Sequence, residues 1–217
     1  MPDPPTHGND AAPWNADYLR RGRLWGGAVF NLPDLPVGSR VLELGCGTGK
    51  TFCAMQARGY DIVGIDFSHH AAGLSHRSAG AGDQGHVLIA DARALPFAAN
   101  TFDAVIAFHV IGHMRIQDRY CCAQESWRVL REKGTLFFRE FSDEDFRAGK
   151  GRTVEPGTFE RNEGILTHYF TEPETGELFS RFTRSCLSTH RWTMTVRGER
   201  LQRAEVAGIF VKPLKAT

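Results

Sequence analysis

Short apolar runs, each followed by a polar turn, recur along the first two thirds of the chain. They predict five buried β-strands, at 40–45, 61–66, 86–91, 102–110 and 134–141. The stretches between the strands have the spacing of helices, and strands that alternate with helices favour a parallel sheet covered on both faces.

The helices have recognisable limits in the sequence. A helix over 50–60 is expected to stop at Gly59, and Ser68 is placed to cap the helix after the second strand. The segment 116–134 predicts a longer helix, because apolar residues recur along it at the spacing of one helix face. These residues are Ile116, Tyr120, Ala123, Trp127 and Leu130.

The C-terminal pattern changes to strict alternation. Trp192, Met194 and Val196 alternate with polar residues, and a turn at 197–200 separates this run from a second one at 203–211. This is the signature of an antiparallel hairpin. The predicted fold class is therefore α/β, a Rossmann-like seven-stranded sheet that is mostly parallel, with a C-terminal antiparallel hairpin and helices on both faces.

The chain is expected to form one domain over 14–217 behind a disordered tail at 1–13. Within the domain, 14–36 is expected to be an N-terminal helical cap. The segment 142–180 is expected to be an insertion, or lid, on the substrate side. The first half of the insertion is rich in Gly, Pro and charge, which favours a long loop. Thr171 could then cap a short helix that continues through Phe179.

Composition narrows the functional classes. The net charge of the 217 residues is +1, which gives no global attraction to nucleic acid or to anionic membranes. The N-terminus has no signal-peptide or anchor pattern, and no apolar run is long enough to span a membrane. Five cysteines, without a C-x-x-C pair, indicate a reduced, cytoplasmic protein.

The stretch "ELGCGTGKT" at 43–51 carries the strongest chemical signal. A phosphate-binding P-loop ending in Gly49-Lys50-Thr51 would need glycine at position 44, where Leu44 stands. A dinucleotide-binding fingerprint would need glycine at position 50, where the chain has Lys50. What remains is G-x-G-x-G directly after a strand, preceded by Glu43.

The pattern E-x-G-x-G-x-G resembles the first motif of class I S-adenosylmethionine (SAM)-dependent methyltransferases. The segments "IVGIDFS", "IADARALPFAANTFDAVIAFHVIGHM" and "GTLFFREF" follow in that family's order, so that the resemblance covers roughly 40–141. The "D-A-x-x-L-P-F … F-D-A-V" segment resembles the small-molecule, type 11-like branch. The resemblance implies SAM as the methyl donor, with S-adenosylhomocysteine (SAH) as its product.

Candidate SAM contacts follow from that resemblance and from the turn chemistry. Glycines let the backbone approach a ligand, Asp66 is placed to accept the ribose hydroxyls, and Asp91 is implied at the adenine amino group. Both aspartates could instead only cap the helices that follow. The full expected set is Tyr18, Trp25, Glu43, Gly45, Cys46, Gly47, Gly49, Asp66, Phe67, Ser68, Asp91, Ala92, Arg93 and Phe108.

Methyl transfer needs a base only if the acceptor loses a proton. His109, after the fourth strand, is the candidate for contacting substrate or taking that proton, although a purely structural role is an equal alternative. His113 is expected to be structural. A metal site on "HVIGH" is disfavoured, because Val110 replaces the glutamate of H-E-x-x-H. Cys121 and Cys122 are expected to pack in the core.

The expected acceptor is a small molecule, because no N-P-P-Y-type tetrapeptide follows the fourth strand. Nucleic acid and membrane partners are disfavoured. A SAM-binding module without activity and a methyltransferase acting on protein or RNA remain alternatives, and a P-loop-type nucleotide-binding protein is the least favoured. Residues of the insertion could line the acceptor pocket: Phe159, Arg161, His168, Tyr169 and Phe170.

Overall fold

The computed structural model of the protein describes residues 11–22, 29, 31–79, 85–161 and 164–215. Its centre is a seven-stranded sheet in the order β3-β2-β1-β4-β5-β10-β9. The strands are β1 (Arg40–Leu44), β2 (Asp61–Asp66), β3 (Gly85–Ile89), β4 (Phe102–Phe108), β5 (Leu130–Phe141), β9 (Thr183–Val196) and β10 (Glu199–Val211).

The first five strands pair in parallel, as their buried character predicts. The helices that connect them are α2 (Lys50–Gln56), α3 (His69–Ala79) and α4 (Ile116–Val129). Successive residues of a strand point to opposite faces, and the core divides accordingly. Leu42 and Leu44 pack in the cluster that contains the α4 residues, whereas Val41 packs with Phe52 and Met55 of α2. The predicted fold class is confirmed.

The predicted hairpin is confirmed, and it is longer than the alternation indicated. Val196 pairs with Glu199 across a two-residue turn of Arg197 and Gly198, whose φ angles are 50° and 85°. Two positive φ angles match the right-handed twist of a hairpin. β10 then runs antiparallel to both β5 and β9, which places it inside the sheet.

The prediction of a long loop after β5 is wrong. Three short strands, β6 (Arg152–Glu155), β7 (Thr158–Arg161) and β8 (Ile165–His168), form a separate antiparallel unit, hereafter the small sheet. Four-residue strands leave too little alternation for a sequence pattern to show. The helix predicted after Thr171 is confirmed as α5 (Glu172–Leu178), and the Thr171 hydroxyl accepts the Glu174 N–H at 3.3 Å.

The boundary predicted for the N-terminal tail is also wrong, because α1 (Ala11–Arg21) begins inside it. Pro13 is tolerated in the first turn of a helix, where its missing N–H has no intrahelical partner. Trp25, one of the predicted SAM contacts, lies outside the described residues. No described helix is long and apolar enough to cross a membrane.

A buried arginine of α4 joins the small sheet to the rest of the protein. Arg119 is 2% exposed. Its Nη1 lies 3.0 Å from Glu155 Oε1 of β6 and 3.3 Å from Thr158 Oγ1 of β7. His168 of β8 extends the network, with Nδ1 2.8 Å from Thr158 Oγ1. All three short strands are therefore anchored around one guanidinium.

Candidate functional site

A cavity of about 330 Å³ opens at the carboxyl ends of β1, β2 and β4. In open α/β sheets this is the edge at which ligands bind, and the volume is in the range of small-molecule sites. α1 and the small sheet complete its walls. The lining residues discussed below are Trp14, Tyr18, Gly45, Asp66, Phe67, Asp91, Ala92, Arg93, His109, His113, Met114, Asp118, Glu160 and Leu166.

The glycine loop after β1 is shaped by close packing. Gly45, Gly47 and Gly49 all have positive φ angles, of 65°, 55° and 82°. A Cβ at Gly45 would lie 2.8 Å from Val110 Cγ2, and a Cβ at Gly47 would lie 2.9 Å from Tyr18 Oη. Both the backbone angle and the space therefore require glycine here.

Asp66 combines a structural role with a position in the cavity wall. Its Oδ2 accepts the Gly47 N–H and its Oδ1 accepts the Ser68 N–H, each at 2.9 Å. Burial raises the pKa of Asp66 to about 6, although these two N–H groups act in the opposite direction. The capping alternative is thus real, but it is compatible with ligand binding, because each carboxylate oxygen has a second lone pair.

Asp91 and Arg93 lie together in the wall, just beyond the end of β3. Arg93 Nη2 is 2.7 Å from Asp91 Oδ2, and Arg93 Nη1 is 3.2 Å from Asp118 Oδ2. The Arg93 side chain is only 7% exposed, so its carboxylate partners hold it in place. The pairing leaves Asp91 30% exposed at the edge of the cavity.

The remaining predicted cofactor residues divide into two groups. Tyr18, Gly45, Phe67 and Ala92 line the cavity. The others that are described do not line it: Glu43, Cys46, Gly47, Gly49, Ser68 and Phe108.

The surroundings of three residues in this second group can be described. Glu43 is buried, and burial raises the pKa of its carboxyl well above the usual range. Ser68 Oγ accepts the Ala71 N–H at the start of α3 and lies 2.7 Å from Asn15 Oδ1 of α1. The Phe108 ring lies against Arg139, 4.3 Å from its guanidinium carbon.

His109 lines the cavity in an uncommon backbone conformation, with φ 54°. Its Nε2 lies 3.3 Å from Glu205 Oε1 of β10, and its Nδ1 lies 3.9 Å from Glu140 Oε2 of β5. The ring stacks on Phe141, with centroids 4.6 Å apart. Sequence reasoning missed both carboxylates.

A signal for one of them was present in the sequence. Leu136, Phe138 and Glu140 share one buried face of β5, so a charged residue stands in an apolar alternation. Such a residue marks a functional or paired position. Glu205 had no comparable signal, because its proximity to His109 depends on the pairing of β10 with β5.

His113 connects the cavity wall to the small sheet. Its Nδ1 lies 2.6 Å from the Leu166 carbonyl oxygen, and its ring packs edge-on against Trp14 of α1. Burial lowers the pKa of His113 to about 4. The imidazole is therefore neutral near pH 7 and holds the two outer walls together.

The residues of the insertion that were predicted to line an acceptor pocket do not line the cavity. Among the residues that the structure describes, the small sheet contributes Glu160 and Leu166 to the cavity rather than the five named from the sequence. Tyr169 and Phe170 are core residues, and His168 is buried against Thr158. Phe159 and Arg161 flank Glu160 on β7 but do not line the cavity.

Comparison with known proteins agrees with this arrangement. Residues 42–138 match the family model described as a methyltransferase domain. A SAM-dependent methyltransferase of Methanosarcina mazei has a similar structure, with a TM-score of 0.69 and 23% identity over 83% of this chain and 95% of that one. The chain thus matches a methyltransferase domain over residues 42–138, and the structural likeness shows a shared fold.

Curated relatives of the chain are named for different kinds of acceptor. It is 35% identical to the demethylmenaquinone methyltransferase of Thermobifida fusca, over 57% of the chain and 52% of that protein. It is 27% identical to the tRNA N(3)-cytidine methyltransferase METTL2 of Gallus gallus, over 69% of the chain and 44% of that protein. The chain thus spans about half the length of these relatives.

Proposed function

We propose that the protein transfers a methyl group from SAM to a small-molecule acceptor bound in the cavity. The observation that carries the proposal is the Asp66 carboxylate, fixed by the glycine loop and lining a cavity at the carboxyl ends of parallel strands. SAM supplies a methyl carbon activated by its sulfonium. The protein has to bind and orient the two reactants and exclude water.

The residues present fit this donor. The Asp66 carboxylate would accept hydrogen bonds from the ribose hydroxyls, and the Asp91 carboxylate would accept one from the adenine amino group. Gly45 lets the backbone lie open to the ligand at the start of the loop, while Tyr18 closes the same side from α1. Burial raises the pKa of the Tyr18 phenol, so that the hydroxyl is neutral and able to donate a hydrogen bond.

The shape of the cavity supports a small acceptor. Trp14 on α1 and Leu166 on the small sheet lie on its outer side, and Met114 adds a further apolar wall, so the site is a partly enclosed pocket rather than an open groove. Charged side chains share this lining, among them Arg115, Asp118 and Glu160. A concave site that combines apolar walls with placed polar groups is typical of small-ligand sites.

An RNA acceptor is the second candidate, because one relative is named as a tRNA methyltransferase. The experiment has two stages. Isothermal titration with SAM, SAH and ATP–Mg²⁺ tests the donor site. Incubation with methyl-labelled SAM, and either a small-metabolite extract or total tRNA, then tests the acceptor. Label recovered in the small-molecule fraction supports the proposal, and label in tRNA would replace it.

The acidity of Asp66 makes the expected donor affinity depend on pH. Its pKa is about 6 in the free protein, and ribose hydroxyls bind the ionised carboxylate. SAH affinity should fall as the pH drops below 6, approaching about tenfold per pH unit. Isothermal titration between pH 5 and pH 8 measures this dependence.

Protonation of Asp66 does not destabilise the fold, so unfolding would not explain a loss of SAH affinity at low pH. Because the folded pKa is raised, this group's contribution to stability is present below its ordinary pKa and is lost as the pH rises through 6. Lowering the pH through 6 therefore stabilises the fold at this residue while weakening the expected binding. The Asp66→Asn variant serves as the control, and its affinity should be weaker and independent of pH in this range. An equal pH dependence of SAH affinity in the two proteins would contradict the placement of Asp66 at the ribose.

The single-domain organisation and the cytoplasmic location stay predictions from the sequence.

A further inference from the structure

His109 is the one cavity-lining side chain with a carboxylate close to each ring nitrogen, among the residues described here. Glu205 Oε1 is 3.3 Å from Nε2, and Glu140 Oε2 is 3.9 Å from Nδ1. The His109 side chain is 34% exposed, whereas that of Glu140 is 2% exposed and that of Glu205 is 19% exposed. The two carboxylates therefore differ in how freely they can move.

Glu140 is held rigidly. It accepts the Gly112 N–H at 2.8 Å, and the amides of Val110 and Ile111 also bond to it. A Cβ at position 112 would lie 2.7 Å from Glu140 Oε2, which explains the glycine inside "HVIGH". These contacts place a buried carboxyl group directly behind the imidazole. Burial raises the pKa of Glu140 to about 7, while His109 and the three N–H groups act in the opposite direction.

The Nδ1 atom of His109 is buried and has no hydrogen-bond partner within the described residues. A buried polar atom without a partner is costly, and Glu140 Oε2 is the acceptor toward which it can move. Hydrogen bonds at active sites are often long before the substrate binds. The gap of 3.9 Å is small enough to close by a modest shift of the ring.

We propose that Glu140 is the positioning residue that keeps the proton on His109 Nδ1, so that Nε2 takes a proton from the acceptor once the acceptor displaces Glu205. This inference rests on the proposed methyl transfer and specifies its acceptor class. The acceptor atom is a hydroxyl or N–H group that loses its proton on methylation. A thioether or a tertiary amine would give His109 no proton to accept.

The bonds, electrons and protons of the proposed methyl transfer balance as follows. The acceptor atom forms a bond to the methyl carbon, and the carbon–sulfur bond breaks with its electron pair left on sulfur. The acceptor's proton passes to His109 Nε2. The Nδ1–H of the imidazolium then faces Glu140, and this positive charge favours the ionised form of Glu140 until Nε2 releases the proton to water.

Other charged groups surround this arrangement. His113 lies on the same turn, and it is neutral near pH 7 because burial lowers its pKa to about 4. Burial acts to raise the pKa of Glu205, but the hydrogen bond to His109 and the charges of His109, Arg139 and Arg203 lower it below its usual value. Arg147 lies against the Phe141 ring, 3.8 Å from the centroid to the guanidinium carbon. Glu205 is thus a carboxylate at neutral pH.

The test is the tautomer of neutral His109 in a Glu205→Ala variant, measured by ¹⁵N-histidine NMR with SAH bound. Removing Glu205 frees Nε2 without touching the buried network. We expect the Nδ1–H tautomer, and we expect Glu140→Gln added to this variant to shift it toward Nε2–H. The His109→Asn variant assigns the signal, because asparagine tolerates the positive φ. His113, whose Nδ1 faces the Leu166 carbonyl, is the internal reference.

The Nε2–H tautomer in Glu205→Ala would overturn the inference, and this variant does not depend on the folding of the buried Glu140 substitution. Methylation of a hydroxyl or N–H acceptor at equal rates by the wild-type and His109→Asn proteins would also overturn it. SAH binding is measured on the same samples. If the wild-type protein binds no SAH, the proposed function fails and this inference fails with it; if SAH binds and the tautomer is Nε2–H, this inference alone fails.

Discussion

Replacing Arg119 with methionine is expected to lower the free energy of unfolding by about 3 kcal/mol. The Arg119 side chain is 3% exposed, and its loss leaves Glu155, which is 16% exposed, without its cationic partner. Removing one member of a buried ion pair is strongly destabilising, because the other charge stays in a poorly solvated place. Urea unfolding of the two proteins measures the difference.

The loss should be concentrated in the small sheet. Backbone amides of β6, β7 and β8 are expected to exchange faster with solvent than those of the large sheet. Arg131→Met is the matched control, because Arg131 pairs with Asp103 on the surface, with side chains 49% and 37% exposed. That change should cost less than about 1 kcal/mol.

A double variant separates the charge from the packing. Adding Glu155→Gln to Arg119→Met should recover part of the stability, because no unpaired carboxylate remains. An Arg119→Met protein as stable as the Arg131→Met control would show that the guanidinium does not anchor the small sheet.

Replacing Asp66 with alanine is expected to weaken SAH binding by about 100-fold or more. Each hydrogen bond to a charged group contributes about 1.5–3 kcal/mol, and the proposed site offers one carboxylate to two ribose hydroxyls. The variant also leaves the Gly47 and Ser68 N–H groups without their acceptor, which loosens the glycine loop. Isothermal titration of the two proteins with SAH gives the ratio.

The control for this change lies on the same strand. Asp61 is the first residue of β2 and lies at the end of the strand opposite to Asp66. Its side chain is 49% exposed and pairs with Arg40 at 3.6 Å. Asp61→Ala should leave SAH affinity within about twofold of the wild type. Equal affinities for Asp66→Ala and Asp61→Ala would remove Asp66 from the donor site. A thermal melt of each variant shows whether the fold is retained.

Local chemistry accounts for what the sequence predicted well. The first three strands of the large sheet could be predicted because each is an apolar run that ends in a glycine or an aspartate. Gly45 and Asp66 were found for the same reason, since the turn and the carboxylate lie within a few residues of a strand end.

Long-range contacts account for what the sequence did not predict. The strands of the small sheet have four residues each, and they are fixed by Arg119, which lies more than 30 residues earlier in the chain. Glu205 reaches His109 only because β10 pairs with β5, so that no local pattern could have placed it. Residues 11–13 were assigned to the tail because helix α1 gains its stability from packing on the cavity wall, where Trp14 contacts His113.

The position of β10 between β5 and β9 affects how a newly made chain can mature. β10 is synthesised after every other strand of the large sheet, yet it lies inside that sheet. Until it emerges from the ribosome, β5 and β9 present unpaired strand edges, which favour association with other chains. Glu205 arrives with the same strand. The nascent protein therefore closes its sheet and completes the surroundings of His109 in one late step, and a chaperone that shields β5 would act before that step.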